Sequence, residues 1–491
     1  MAEVTSLCVL IFFGFVAFAV FRWRRRELYR LAAKIPGPVG WPITGNAHMF
    51  VSVRSSEDLE QVLRKHAGDI GSGISKLWIC SRFLVVLSEP EYIQTLLNHP
   101  SAVSKDELIY GQATTFLGRG IITRNGEKWA RLRKPAIKVL HPKSIAEFEL
   151  KMQKRLDELY TVLDTKAKNG GHFDISHYIT RFCFDLLVET GAGVKTINEL
   201  KTNSLNFPTF LEEALEEATL SSISLLTIFN LNPNFKLKKF GYKLTQISEN
   251  IMRARLNATT SSAQDENKNC LNIMDLATSV GELEKLNFHE TSKLANDFIV
   301  AGSDTPSKVI AGVLLMIAIH QDVQERMYQE MKDVFGDSDR PAEKKDLEKM
   351  KYLEMVLNEG LRHFGPVLTA RRIDSDVPVG SYVLPKGSLV ILTQYYVSFN
   401  SKFWERPYSF YPEHFTPEAN QSRPKGAFLP FNAGPRGCPG KLYAMQVLRN
   451  TVSAIVRRYH ITTEIEYHQV TYKFHLQRSA GNPIIKLARR L

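Results

Sequence analysis

The stretch AFLPFNAGPRGCPGKLYAMQVLRN, residues 427–450, sets one cysteine among turn-forming residues and follows it with apolar periodicity. Gly434 and Gly437 permit a tight backbone turn, and Cys438 comes immediately before Pro439. Leu442, Met445, Leu448, Val452 and Ile455 fall on one helical face, so an amphipathic helix is expected next. Proline suits the first turn of a helix, which would put the sulfur at that helix's N-terminus. There the dipole and the free N–H groups stabilise a thiolate, whose pKa must fall well below the usual value of about 8.5 for it to bind metal. A lone cysteine is more often a small buried apolar residue. This setting points instead to a ligand.

The rest of the chain bounds what that ligand belongs to. The 491 residues are 44% hydrophobic, enough for a sizeable core, and no fibrous or disordered composition is present. Cys8, Cys80, Cys183, Cys270 and Cys438 are scattered without a C-x-x-C pair, which excludes a disulfide framework and a zinc site and suits a reducing compartment. The net charge of +12 fits an anionic membrane or an acidic protein partner. Without an RNA- or DNA-binding motif, nucleic acid is not expected.

From residue 4 to residue 21 the chain carries no charge, and at 1.5 Å per residue it spans roughly 27 Å, nearly a hydrocarbon core. Twelve of those residues are Val, Leu, Ile or Phe, worth roughly 4–7 kcal/mol of insertion free energy. A cleaved signal peptide is the rival reading, with AFA at residues 17–19 as its cleavage site. Glu3 ahead of the apolar run and RWRRR directly after it favour an uncleaved anchor. Arg22, Arg24, Arg25 and Arg26 then hold everything downstream in the cytosol, so the sequons at Asn257 and Asn420 stay unglycosylated. Residues 1–22 are thus read as a transmembrane signal anchor. Residues 23–46 form a basic connector ending in the stiff, non-helical KIPGPVGWPITGN, and residues 47–491 form one catalytic domain.

The domain reads as mainly α with minor β. A hairpin turning at Ser81–Arg82 is followed by a helix; residues 142–363 are largely helical, broken by polar loops at 257–269 and 335–345; the last thirty or so residues alternate like strands. One helix contains VAGSDTPSKV, residues 300–309. Gly302 and Pro306 cost about 1 and about 3 kcal/mol against alanine in a helix interior. Proline lacks the N–H that would reach the Gly302 carbonyl, so both breakers act on one hydrogen bond and the helix is expected to open there.

Phe431, Gly434, Arg436, Cys438 and Gly440 have the F-x-x-G-x-R-x-C-x-G form of the haem-binding loop, and the chain resembles the cytochrome P450 superfamily. Further motifs follow in the order the superfamily requires: Trp129 and Arg133 as W-x-x-x-R, Asp304 and Thr305 within (A/G)-G-x-(D/E)-T-(T/S), Glu359 and Arg362 as E-x-x-R. The resemblance implies a single large cytochrome P450 fold behind the anchor and non-covalent haem b with Cys438 as the axial thiolate, which pushes electron density that favours O–O cleavage. It implies that Arg436, Trp129, Arg133 and either Arg371 or Arg372 meet the haem propionates. Phe431 would then flank the sulfur, Gly434 would turn the loop, and Gly440 would allow close approach to the ring. Thr305 would act by hydrogen bonding on the oxygen side, and Asp304 as a proton relay.

Two departures stand out. Pro306 occupies a position where a small hydroxyl residue is usual, and PYSFYPEHF places His414 where an arginine normally completes a buried network with Glu359 and Arg362. ETGAGVK and GIITRNGEKWARLRKPAIKVLHP resemble the animal family-4 branch. Many of its members esterify a haem methyl through a glutamate one position before the helix glycine. Ala301 stands there, so no such link is expected.

The resemblance thus implies an endoplasmic reticulum monooxygenase facing the cytosol. It would insert one oxygen atom of O2 into a lipophilic fatty acid, steroid, terpenoid or xenobiotic. Electrons would come from NADPH through cytochrome P450 reductase or cytochrome b5, met by Arg131, Arg133, Lys134 and Lys441 unless these simply form a solvated face. An isomerase or dehydratase without oxygen activation, or a non-enzymatic haem- or lipid-binding relic, are the rival readings. Substrate contacts are expected from the loop before Trp129, residues 207–240, the helix around residues 298–305 and the turn near Val367.

Overall fold

The computed structural model describes residues 2–65, 72–141, 148–193, 206–223, 234–261, 272–475 and 477–490. Pro142, the first residue of the expected helical middle, lies outside the described residues, as do residues 194–195 of the ETGAGVK motif, residues 224–233 of the expected substrate stretch and residues 262–269 of the first polar loop.

The longest helix, Phe288–Ile319, organises the rest. Asn287 and Glu290 cap it reciprocally, and its 32 residues stay buried over most of their length. Against it lie the helices Ser176–Gly191, Phe235–Ser261, Ile273–Leu283 and Lys441–Arg458. By length and hydropathy this helix is apolar enough to cross a membrane, but its surface is taken up by protein. The N-terminal helix Ala2–Arg24 is the opposite, with Phe12, Phe13, Phe15, Phe18 and Trp23 all exposed.

Glycine at 302 has a packing cause that the sequence did not suggest. A Cβ there would fall 2.8 Å from Leu187 Cδ2, so the residue is small because the helix Ser176–Gly191 crosses at that point. The central helix runs unbroken through Pro306. Local disturbance shows instead in side-chain bonds to its own carbonyls: Ser303 to Ile299, Thr305 to Ala301 and Ser307 to Asp304, at 2.7, 2.7 and 2.9 Å.

The β structure is small and lies to one side. Strands Ile74–Ile79, Arg82–Leu87, Leu389–Leu392 and Thr369–Arg372 form one sheet in that order, with Arg82–Leu87 and Leu389–Leu392 parallel and the other pairs antiparallel. Ile79 pairs Arg82, so the hairpin turns at Cys80–Ser81, one residue earlier than expected, with Cys80 at φ 54°. Residues 26–46 do not stand off from this sheet. Arg26–Ala33 is helical, Ile35 is buried, the Pro36 carbonyl accepts from the Lys76 N–H at 2.8 Å, and the Asn46 side chain accepts from the Trp78 N–H at 2.9 Å.

A buried ionic network ties the helix Lys351–His363 to the segment that precedes the cysteine loop. Arg362 binds both oxygens of Glu359, at 2.7 and 2.8 Å, and donates to the carbonyls of Ser398, Pro407 and Ser409. His414 Nδ1 sits 3.2 Å from Glu359 Oε2, and the Tyr411 N–H donates to Glu359 at 2.8 Å. Burial alone would push the Glu359 carboxyl up, but Arg362, His363 and His414 together hold it well below the usual carboxylate range. His363, buried beside Arg362, is pushed down to about 4 and stays neutral.

Removing one partner of a buried pair strands the other, at a cost of roughly 3–5 kcal/mol. Glu359→Gln is expected to lower the thermal midpoint by far more than His414→Ala. The latter removes the imidazole's bonds to Glu359 and to the Glu405 carbonyl, roughly 0.5–1.5 kcal/mol each, while the Arg362 pair survives. Calorimetry on the two variants checks the order.

Candidate functional site

A cavity of about 340 Å³ opens between the central helix and the cysteine loop, its walls mostly apolar. Cys438 forms its floor. The loop is held by the Cys438 N–H donating to the Phe431 carbonyl at 2.8 Å and the Gly437 N–H to the Gly434 carbonyl at 3.0 Å. Gly434 sits at φ 66°, where a Cβ would fall 2.0 Å from the Leu97 carbonyl oxygen, so the turn demands glycine. At Gly440 a Cβ would meet only ordinary neighbours, with Sγ of Cys438 4.0 Å away, and its open side is cavity. Phe431 lines the same wall.

The helix after the loop starts at Lys441 with Gly440 as its cap, two residues later than Pro439 suggests. Leu442 consequently faces outward, while Tyr443 and Ala444 line the cavity and Met445, Leu448, Val452 and Ile455 are buried. The Cys438 sulfur is accessible from the cavity and enclosed by protein elsewhere. That burial pushes its thiol above the ordinary range, although the Gly440 N–H, Arg133 and Lys441 pull the other way. The polypeptide around the sulfur therefore does not by itself lower the thiol as a helix terminus would. A metal cation at the sulfur would have to supply the missing stabilisation of the thiolate.

Lys105 and Arg436 line one edge of the cavity, and a third cation, Arg371, is buried close to both. Arg436 donates to the carbonyls of Val103 and Arg124, at 2.9 and 2.6 Å, and to the Asn125 side-chain oxygen at 3.0 Å, with its guanidinium over the Trp129 ring at 4.1 Å. Arg371 Nη1 donates to the Ala370 carbonyl at 2.9 Å, while its Nη2 is buried without a partner. Lys105 Nζ donates to the Tyr110 hydroxyl at 2.7 Å. All these acceptors are neutral. Burial and mutual repulsion push Arg436 down to about 9 and Lys105 well below the usual lysine range; burial lowers Arg371. Arg372, by contrast, is exposed and paired with Asp374 at 3.4 Å, so of the two only Arg371 is buried beside Lys105 and Arg436. Arg133 and Trp129 line the cavity beside the cysteine loop. A cavity that carries Lys105 and Arg436 at one edge, with Arg371 beside them, and a cysteine sulfur in its lining fits a flat group with carboxylates at one edge and a metal at its centre.

On the opposite wall Thr305 is open to the cavity, whereas Asp304 is not among the lining residues. The Asp304 carboxylate is held by Lys308, at 2.9 and 3.0 Å to its two oxygens, on the side of the helix away from the cavity. Gln477 reaches in from the C-terminal strands and donates to the Thr305 carbonyl at 3.1 Å. The expected substrate walls are present near Ile121, Phe298 and Pro366. Phe207, Phe210 and Phe240 instead pack on one another, with centroids 5.7 to 6.3 Å apart along the series, and do not line the cavity.

Lys105, Gln477 and Asp297 escaped the sequence reading. Nothing around Lys105 or Gln477 marks them, but Asp297 was visible as an acid four and eight positions before Ala301 and Thr305 in an apolar helix. It is fully buried and lines the cavity; Oδ2 accepts from the Ile122 N–H at 2.5 Å, and Oδ1 has no partner. Burial pushes its carboxyl up to about 7.

A family model described as Cytochrome P450 matches residues 35–478. Among curated relatives, Cytochrome P450 4g1 of Drosophila melanogaster is 29% identical, covering 90% of this chain and 87% of the relative. Cytochrome P450 4c21 of Blattella germanica is 26% identical over 98% of both chains, and Cytochrome P450 4V2 of Homo sapiens 27% identical over 92% and 88%.

A carboxyl raised to about 7 in the fold destabilises it progressively as pH rises between its unfolded and folded pKa values. Asp297→Asn keeps an acceptor for Ile122 and removes that dependence. Its stability advantage over the parent is expected to grow by roughly 1.4 kcal/mol per unit between pH 5 and pH 7 and then to level off, as followed by thermal unfolding.

Proposed function

Since the chain belongs to the cytochrome P450 family and is a haem monooxygenase with cysteine-thiolate ligation, we propose that Cys438 is its ligating residue and that it oxidises a lipophilic substrate beside Thr305. The observation that carries this is the pairing of one cavity-facing sulfur with an anion-deficient edge in the same cavity.

When bound, the haem supplies activation of O2, with one oxygen atom passing to the substrate and the other leaving as water. Arg436 and Lys105 would hold its propionates by charge-assisted hydrogen bonds, with Arg371 beside them as a third cation. Trp129 and Arg133 complete that edge, the first by stacking under Arg436. Phe431 and the open side of Gly440 flank the sulfur. Thr305 is the proton-handling group at the oxygen face: its hydroxyl, bonded at rest to the Ala301 carbonyl, is the polar atom this turn presents to the cavity. Asp304 acts one step removed, since Lys308 must release it before a proton can pass. Glu359, Arg362 and His414 serve the fold behind the cysteine loop. Ala301 offers no carboxylate for a covalent haem link.

The exposed aromatic helix Ala2–Arg24, with its basic end, supports a single-pass anchor in the endoplasmic reticulum membrane and a cytosolic catalytic domain. The segment up to residue 46 braces that anchor against the sheet. Reductase or cytochrome b5 would dock near Arg131, Arg133 and Lys441, on the sulfur side, and deliver the electrons of NADPH.

The reduced carbon-monoxide complex of the folded holoprotein is expected to show the thiolate-shifted Soret band. Cys438→Ser is expected to abolish it, and product formation in the parent is expected to require both NADPH and reductase. Neutralising the cationic edge by Lys105→Met is expected to lower haem occupancy without loss of helical signal, read from the pyridine haemochrome. Denaturing chromatography is expected to separate all haem from the polypeptide, in keeping with Ala301.

A further inference from the structure

We propose that Gln477 is a positioning residue, which holds Thr305 in place where Pro306 weakens the central helix, so that the C-terminal hairpin as well as the helix sets the hydroxyl at the oxygen face. This rests on the reading of Thr305 as the proton-handling group and names the residue that governs its position.

A proline disfavours the helical region for the residue before it, because its Cδ crowds that residue's N–H and Cβ. Pro306 therefore makes the helical form of Thr305 less favourable, and it also takes away the N–H that the Gly302 carbonyl would receive. The helix Phe288–Ile319 nevertheless passes through both residues. Side-chain hydrogen bonds reinforce it there. The Thr305 hydroxyl donates to the Ala301 carbonyl at 2.7 Å, and the Gln477 amide donates to the Thr305 carbonyl at 3.1 Å. That carbonyl belongs to the Thr305–Pro306 peptide, the unit of this turn that has no N–H of its own.

Gln477 is fit for this because its own backbone is fixed. It forms a bridge with Pro366, the Arg478 N–H donates to the Gly365 carbonyl at 3.0 Å, and the His475 N–H donates to the Gln477 carbonyl at 3.2 Å. Arg478 lies over the Tyr472 ring at 3.4 Å and donates to the His363 carbonyl at 3.2 Å. Further back in the hairpin, Lys473 bonds Glu212 and His475 bonds Glu216, both on the helix Phe207–Ile223. The amide thus comes from a hairpin anchored to the segment after Arg362 and to a separate helix. Gln477 is buried and lines the same cavity as Thr305. Filling that wall requires no donor, whereas holding a carbonyl does.

The test is a double-variant cycle on reduced holoenzyme with carbon monoxide bound, read by the infrared C–O stretch, which responds to the groups around the gas. Thr305→Val is measured first and is expected to move the band. Gln477→Met keeps the length of the side chain and loses the donor, and it is expected to shift or split the band. In a Pro306→Ala background the helix regains its N–H and Thr305 no longer precedes a proline, so the same change at Gln477 is expected to leave the band in place. Gln477→Leu takes the place of Gln477→Met should the latter fail to take up haem. An unmoved band on loss of the donor, with Pro306 intact, overturns the proposal. A shift of equal size in both backgrounds overturns it too, and makes Gln477 a polar wall group that acts on the gas directly. A band indifferent to Thr305→Val is a different failure, which removes the reading of Thr305 at the oxygen face and this inference with it.

Discussion

The structure depends on positive charge that the polypeptide buries and does not itself neutralise. Lys105, Arg371 and Arg436 come from three separate parts of the chain, a loop, a sheet strand and the cysteine loop, and they meet beside a cavity that Lys105 and Arg436 line. Their acceptors are backbone carbonyls, an amide oxygen and a phenol, none of which carries charge. Bringing such groups together without an anion is among the more expensive arrangements a protein can make. An anionic group bound there would supply the missing charge and, binding only the folded state, would lower its free energy. The same reasoning reaches the sulfur. Burial by the polypeptide pushes Cys438 toward the neutral thiol, and a metal cation at the sulfur would reverse that balance.

The Glu359 network shows what the protein does when a buried charge is structural. Every direction around that carboxylate is filled, by Arg362, His414 and the Tyr411 N–H, and Arg362 in turn reaches three carbonyls. Reading His414 from sequence alone suggests a lost planar fork and a lost permanent charge. The fold supplies a second guanidinium nearby. Arg423 lies 3.7 Å over the Trp404 ring, donates to the His414 carbonyl and contributes attraction to Glu359, although burial and Arg362 push it down to about 10. The network has been redistributed rather than reduced.

What could be read from the sequence follows from how local its cause is. The cysteine loop was legible because its glycine and cysteine spacing records a turn and a ligand within ten residues, and Gly434 does occupy the left-handed region. The helical character was legible from periodicity, as was the hairpin to within one residue. Distant causes were not. Gly302 is small because Leu187 arrives from another helix, Lys105 matters because a strand and a loop far along the chain deliver two arginines beside it, and Asp304 is turned away by Lys308 one helical turn further on. The choice between Arg371 and Arg372 also waited on the sheet, since strand alternation buries one and exposes the other and nothing in the local pattern says which.

The central helix divides its labour by face. Ser303, Asp304 and Ser307 lie on the side turned toward neighbouring helices, where their hydroxyls are spent on carbonyls of their own helix and the carboxylate on Lys308. Asp297, Ala301 and Thr305 form the ridge that the cavity sees. In the branch this chain resembles, many members place an acid at the position of Ala301, where it reaches the cofactor; here that position is a methyl group and the acid stands one turn earlier. A carboxylate on that earlier turn is held by Ile122 and faces the apolar part of the cavity.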